Sequence, residues 1–388
     1  MRSQPLYLIP GPIELDPAVV AAMTYGPANH TDPEHTRIMH STIEPLRAIA
    51  GAKEGLCIVQ PGSGSAAMDG VACNMIEPGD DVLMIQSGFF SKRFEEIIRW
   101  YGANLTVMDP PTGVRATAKE VEDALKKKKY KFIYVTHVET STSISNDLEF
   151  FGKMGKKYGA MVVVDAVCSL GAEEMKMDEW GIDLIASCSQ KALAAPPGLA
   201  ITIANPRAIE VWKNRKTHPA GYYSSWNVWM APSRGYEQAK FVLHSTPPVQ
   251  IINAFAVSLQ QIMAEGIDNR VKRHRKMAQA VRTGMRALGL KLTVENDKHA
   301  AVTVTAPFVP EGMDCKKLLA ESKKRGVVFS GGLYNELCDK HIRFGHMGTC
   351  TPNEIYAGFA ALEDSLEVLG YECPASGLEA AREVFQSK

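Results

Sequence analysis

The sequence carries no excess charge of either sign: Lys plus Arg is 43 and Asp plus Glu is 43, a formal net charge of zero. Without a basic block, a chain binds nucleic acid or an anionic membrane surface poorly, so neither is expected as a partner. No apolar run approaches the roughly 18 residues of a membrane-spanning helix. The opening stretch meets Pro5, Pro10 and Pro12, which leaves no apolar segment of the signal-peptide kind. The eight cysteines, scattered from Cys57 to Cys373, include no CxxC pair. That argues against a zinc knuckle or a disulfide frame and points to a reducing, cytoplasmic setting. The histidines show no metal-ligand spacing, and no metal is expected. There is neither an internal repeat nor a low-complexity tract. The one dense charge run, Lys126 to Lys129, closes a helical pattern, where cations suit the helix dipole.

What remains is an ordinary globular composition, 45% apolar and 22% charged, over 388 residues. At roughly 100–200 residues per domain, that length fits two domains. Short apolar runs recur at 56–60, 81–86, 131–137, 161–166, 183–189 and 199–204, with helical spacing between most of them. Continuous apolar strands separated by helices predict a mostly parallel sheet covered on both faces, the α/β class. The expected organisation is an N-terminal arm (1–14), a large α/β domain (15–264) and a smaller C-terminal α+β domain (265–388). A helical stretch over 251–290 bridges the last two.

In open α/β sheets ligands sit beyond the carboxyl ends of the strands, and three kinds of polar residue fall there. After the first run comes Gly62-Ser63-Gly64-Ser65, leading into a helix whose free N–H groups suit a phosphate. The same letters fit G-x-G-x-x-A, a dinucleotide fingerprint. That motif needs an acid at the far end of the next strand, whereas Asp80 and Asp81 precede it. The run of three valines at 162–164 ends in Asp165, a carboxylate costly to bury without a cationic partner; the alternative role is a helix cap. Gln190 and Lys191 follow the fifth run, and small apolar neighbours from Ala192 onward would favour the free amine of Lys191. A lysine for an aldehyde, an acid for a pyridine nitrogen and a helix start for a phosphate together fit pyridoxal 5′-phosphate.

At this point the sequence resembles a known family, the class V, fold-type I pyridoxal-phosphate aminotransferases, in the branch of alanine–glyoxylate and serine–pyruvate aminotransferases. The likeness runs through PGPIELDP (10–17), PGSGSAAMDG (61–70), EPGDDVL (77–83), VTHVETSTS (135–143), VVVDAVCSLG (162–171), SQKALAAPPG (189–198), HSTPP (244–248) and RFGHMG (343–348). It implies a seven-stranded, mostly parallel sheet. It implies that Lys191 carries the cofactor aldehyde and moves the proton, and that Asp165 pairs with the ring nitrogen. Ser63, Gly64, Ser65 and Gln190 would hold the phosphate, and Phe90 would stack on the ring where the family usually has tryptophan. Thr140 would lie near the ring, and Arg343 would grip the substrate carboxylate. Thr246 would reach the phosphate of a neighbouring subunit, which implies a homodimer with active sites at the interface. The entrance segment His30-Thr31-Asp32-Pro33-Glu34 departs from the family's usual His-Arg.

The resemblance implies a ping-pong transamination from a small amino acid, alanine or serine, to a 2-oxo acid, glyoxylate or pyruvate. Three other readings stand beside it. A pyridoxamine–pyruvate transaminase shares the GHMG segment but has less use for a phosphate cup. A cysteine desulfurase or related lyase needs a nucleophilic cysteine, for which Cys338 and Cys350 are poor candidates. A non-catalytic binding protein has no need of both Lys191 and Asp165. His30, His35, His137, His244 and His346 read as structural or entrance residues, with His30 and His346 the two expected nearest the substrate.

Overall fold

The computed structural model describes residues 4–333 and 337–387. Its centre is a seven-stranded sheet: β1 (Leu56–Gly62), β2 (Asp81–Ile85), β3 (Asn104–Met108), β4 (Phe132–Thr136), β5 (Met161–Asp165), β6 (Leu184–Cys188) and β7 (Gly198–Ala204), in the spatial order β1-β7-β6-β5-β4-β2-β3. All neighbours are parallel except β7, which runs antiparallel to both β1 and β6. The loop from β6 to β7 is too short for the crossover that a parallel pair requires, so the chain turns straight back. β3 is the strand that the apolar runs did not reveal. It lies at the sheet edge, with no residue fully buried, so its sequence has no continuous apolar stretch.

The strands are buried on both faces, and alternate residues enter two different cores. Leu83, Ile85, Ile133, Val135, Val162 and Val164 face one side, against the helices Pro33–Ala50, Leu148–Tyr158 and Val249–Glu265. Val82, Met84, Phe132, Tyr134 and Val163 face the other, against Gly64–Met75, Phe89–Trp100 and Trp226–Glu237. This double cover is why the strands read as apolar runs rather than as alternating patterns.

The bridging stretch is two helices, Val249–Glu265 and Ile267–Ala287, which meet at Gly266. A third core follows, built from Met277, Val281, Leu318, Phe344, Phe359 and Leu362 among others. Its three-stranded sheet is formed by Val304–Thr305, Ser330–Gly331 and Ile342–Gly345. The segment 291–296, though its sequence KLTVEN has strand character, contributes only an isolated bridge, Leu292 to Pro307.

The N-terminal arm is woven into this third core. Leu6–Tyr7 pairs in parallel with Val327–Val328, and Leu6 and Leu8 are among its buried residues. Gly345 N donates to Leu8 O at 2.9 Å, and a Cβ at Gly345 would stand 2.1 Å from Ile9 O. Gly345→Ala must therefore displace the arm. It should destabilise the chain by about 1–3 kcal/mol, the usual range for overpacking, as read by urea unfolding, and should speed proteolysis of the first ten residues.

Candidate active site

The carboxyl ends of β1, β5 and β6 converge on a cavity of about 210 Å³. Its wall contains Ser63, Gly64, Ser65, Phe90, Asp165, Gln190 and Lys191, together with Met68, Arg93, Val138, Val167 and Cys168. Seven of the residues expected from sequence thus share one wall, although the first and last lie well over one hundred positions apart in the chain.

Gly64 opens the helix Gly64–Met75, and the N-cap residue, Ser63, makes no side-chain hydrogen bond to it. Its first N–H groups are left for a ligand, and an anion is the natural one. A Cβ on Gly64 would come within 2.7 Å of Val167 Cγ2. That close approach is the local reason for glycine, and it sets the helix start against the turn that follows Asp165. The Gln190 carboxamide faces the same cavity, and its Oε1 is buried without a partner.

Asp165, at the end of β5, is buried. Oδ1 accepts from Val167 N at 2.9 Å and Oδ2 from Thr136 Oγ1 at 3.2 Å. Burial, with the Glu139 charge nearby, pushes the carboxyl up to about 7. The residues after Asp165 form a turn rather than a helix, so it is not the helix cap considered as an alternative.

Lys191 lies in a pinned loop. Ser189 Oγ donates to Pro196 O at 2.6 Å, Ser258 Oγ to Leu193 O at 2.6 Å, and Arg270 Nη2 to Ala192 O at 2.7 Å. The ammonium itself donates to Pro10 O, and to Gly11 O at 3.2 Å. Its surroundings are therefore more polar than the neighbouring alanines suggest, because the N-terminal arm brings backbone carbonyls to it.

Three expected residues lie outside this wall. Thr140 is buried beside Cys168, which does line the cavity. Arg343, on the strand Ile342–Gly345, is buried, and its Nε donates to Gly331 O at 2.8 Å. Burial pulls its guanidinium down to about 10, and the Cys168 thiol and Glu139 act on it in the opposite sense. Thr246 is exposed, in the turn before the helix Val249–Glu265, and does not border the cavity. His346 is fully buried, with Nε2 2.9 Å from Thr305 Oγ1, and is not among the wall residues. His30 packs against Phe241 at 5.7 Å between ring centroids.

Sequence reasoning missed Glu139, Cys168 and Arg93. Glu139 is a fully buried carboxylate at the start of the helix Phe89–Trp100. Its Oε2 accepts from Phe90 N at 2.9 Å and from Ser91 N at 3.0 Å, and Oε1 accepts from Ser141 Oγ at 2.7 Å. An anion at a helix N-terminus is stabilised there, and this one fixes the backbone that carries Phe90. The signal available in sequence was an acid inside an otherwise neutral Thr/Ser stretch. Cys168 is a buried thiol raised to about 11 by burial, so it is not a ready nucleophile at neutral pH. Cys350, considered earlier for that role, is likewise raised by burial, and neither it nor Cys338 is among the wall residues.

Among the described residues no helix is long and apolar enough to cross a membrane. The family model for class-V aminotransferases matches residues 23–340. The chain is 35% identical to alanine–glyoxylate aminotransferase 1 of Saccharomyces cerevisiae, over 91% of this chain and 94% of that one. It is 31% identical to serine–glyoxylate aminotransferase of Hyphomicrobium methylovorum, over 99% of this chain and 95% of the other. The crystal structure of pyridoxamine–pyruvate aminotransferase from Mesorhizobium loti superposes with a TM-score of 0.93 at 27% identity, covering 99% of this chain and 98% of that one. With a fold, a cavity and a match of this extent, the chain belongs to the class-V aminotransferases, fold-type I enzymes that work with pyridoxal 5′-phosphate.

Proposed function

We propose that this enzyme moves an amino group from a small amino acid, alanine or serine, to glyoxylate or pyruvate, in two half-reactions that use one site. The observation that carries the reading is the single cavity wall on which Lys191, Asp165 and the helix start at Gly64 stand together. The residues fit the cofactor: a helix start left uncapped by its own serine, the Gln190 carboxamide on the same wall with its N–H groups to donate, and a buried carboxylate with room for a cation. When bound, pyridoxal 5′-phosphate supplies an electron sink for the substrate's α-carbon.

In this reading Ser63, Gly64, Ser65 and Gln190 hold the phosphate, and Thr246 does so for the site of a second subunit, which makes the working unit a homodimer. Phe90 covers one face of the ring, on a backbone that Glu139 fixes. Asp165 keeps the ring nitrogen protonated through an ion pair in a water-poor setting. Thr140 lies near the ring, behind the wall beside Cys168. Lys191 Nζ, the one amine among the described wall residues, would take the proton from the substrate α-carbon and pass it to the cofactor's aldehyde carbon, and would carry it the other way in the second half-reaction. Arg343 makes no ion pair with a described residue, so its guanidinium is available to a substrate carboxylate as a planar fork. The alanine–glyoxylate and serine–glyoxylate relatives support glyoxylate as acceptor and a small donor. The pyridoxamine–pyruvate neighbour supports a second reading, with free pyridoxamine as donor, and the phosphate-binding features weigh against it.

Alanine or serine with glyoxylate, or serine with pyruvate, should turn over in a coupled assay, whereas pyridoxamine with pyruvate should not. Lys191→Ala should lower that turnover by at least roughly 10²–10⁴-fold, the value of general-base catalysis; near-normal activity would discard the assignment. Arg343→Lys should raise KM for both amino acid and 2-oxo acid by about tenfold or more, through loss of the bidentate contact, while cofactor affinity stays constant. For Asp165 the sign follows from burial. Its carboxyl titrates near 7 in the folded chain against an ordinary 3.8. Between these values the folded chain keeps a proton that the unfolded chain has released, so stability falls as pH rises through that window. Freed of cofactor, Asp165→Asn should match the wild type near pH 4 and exceed it above about pH 7. The gap should be a few kcal/mol, at about 1.4 kcal/mol per pKa unit. A calorimetric pH series checks this, and with cofactor bound the order should reverse.

A further inference from the structure

A phosphate monoester carries about −1.5 to −2 charges at neutral pH. A helix N-terminus offers the equivalent of about half a positive charge. The hydroxyls of Ser63 and Ser65 and the carboxamide of Gln190 add dipoles but no charge, so much of the phosphate's charge is left uncompensated. Among the described wall residues only Lys191 and Arg93 are cationic. Lys191 serves the opposite, aldehyde end of the cofactor in the reading above.

Arg93 stands at the right end. It belongs to the second turn of the helix Phe89–Trp100, yet its Nη1 reaches Ser65 Oγ at 3.1 Å, on a different helix. Its Cζ lies 5.1 Å from the centroids of both the Phe89 and Phe90 rings. These contacts are one hydroxyl and two aromatic faces, and none of them is an ion pair; the Asp165 carboxylate on the same wall acts on the guanidinium only at longer range. By donating to Ser65 Oγ, Arg93 occupies a lone pair of that oxygen and leaves its own O–H proton free to turn into the cavity. The remaining guanidinium donors are available to a second acceptor.

We propose that Arg93 selects the phosphorylated form of the cofactor, neutralising the phosphate at the Ser63–Gly64–Ser65 helix start and turning the Ser65 hydroxyl toward it. This rests on the pyridoxal-phosphate reading of the cavity. A merely structural role, in which Arg93 braces Phe90, would affect phosphorylated and unphosphorylated vitamers alike. The comparison between the two is therefore the test.

The full-length chain, freed of cofactor, is titrated with pyridoxal 5′-phosphate and with pyridoxal, followed by absorbance. Inorganic phosphate is added as competitor, and unfolding midpoints are recorded. Arg93→Gln should weaken pyridoxal 5′-phosphate by about 10–100-fold, the loss expected of one charge-assisted hydrogen bond. Pyridoxal should shift by less than about twofold, and inorganic phosphate should lose its ability to compete. Arg93→Lys, which keeps the charge and loses the fork, should recover part of the phosphate selectivity. Equal weakening of both vitamers, or no weakening of either, overturns the proposal. If Arg93→Gln does not fold, the same comparison in Arg93→Lys decides: phosphate selectivity must fall there too, and an unchanged ratio overturns the proposal. A wild-type chain that binds neither vitamer would overturn the cofactor reading itself, whereas an Arg93 variant that leaves the vitamer ratio intact would overturn only the part given to Arg93.

Discussion

The site depends on one close approach, between the start of a helix and the turn that leaves the neighbouring strand. Gly64 has no Cβ, and Val167 occupies the space a Cβ would need. Val167 also donates its backbone N–H to Asp165. One packing contact therefore sets the distance between the anion-binding helix start and the buried acid. Both elements are carried by a sheet with helices on either face, so neither can shift without disturbing a close-packed core. Rigid strands place the chemistry, and the loops only present it.

The electrostatics follow from that placement. Two carboxylates, Asp165 and Glu139, are buried near each other, and burial raises both. They are stabilised in different ways. Glu139 is saturated by backbone N–H groups and Ser141, and holds the helix start that carries Phe90. Asp165 accepts one bond on each oxygen and faces the cavity, so it keeps capacity for a cation from outside the chain. The same principle distinguishes the arginines. Arg270 is committed to Glu265 and to backbone carbonyls that brace the Lys191 loop. Arg343 and Arg93 make no salt bridge with a described carboxylate, and feel Glu139 and Asp165 only at longer range, so a substrate or cofactor anion can complete them.

The N-terminal arm links the two halves of this arrangement. It threads the third core through Leu6 and Leu8, then delivers the carbonyls of Pro10 and Gly11 to the lysine. The motif PGPIELDP was legible as part of a resemblance, but its physical task was not. Nothing in local sequence says that a segment at residue 10 meets one at residue 191.

Much of the sheet was open to reading, because strands buried on both faces must be apolar along their whole length. Six of its seven strands showed themselves in this way; the seventh, at the edge, is half-exposed and did not. Asp165 and Lys191 could be found because a charge beside valines or alanines is costly unless it has a purpose. Arg93 and Glu139 could not, since an arginine in an amphipathic helix and an acid in a polar loop look like solvated surface. Their significance arises from partners 28 and 49 residues away. Composition and periodicity determined the class of fold and the chemical kinds of side chain at its rim. Only tertiary packing decided which of those side chains share a wall, because cross-chain contacts are set by how helices seat on the sheet and not by any spacing along the chain.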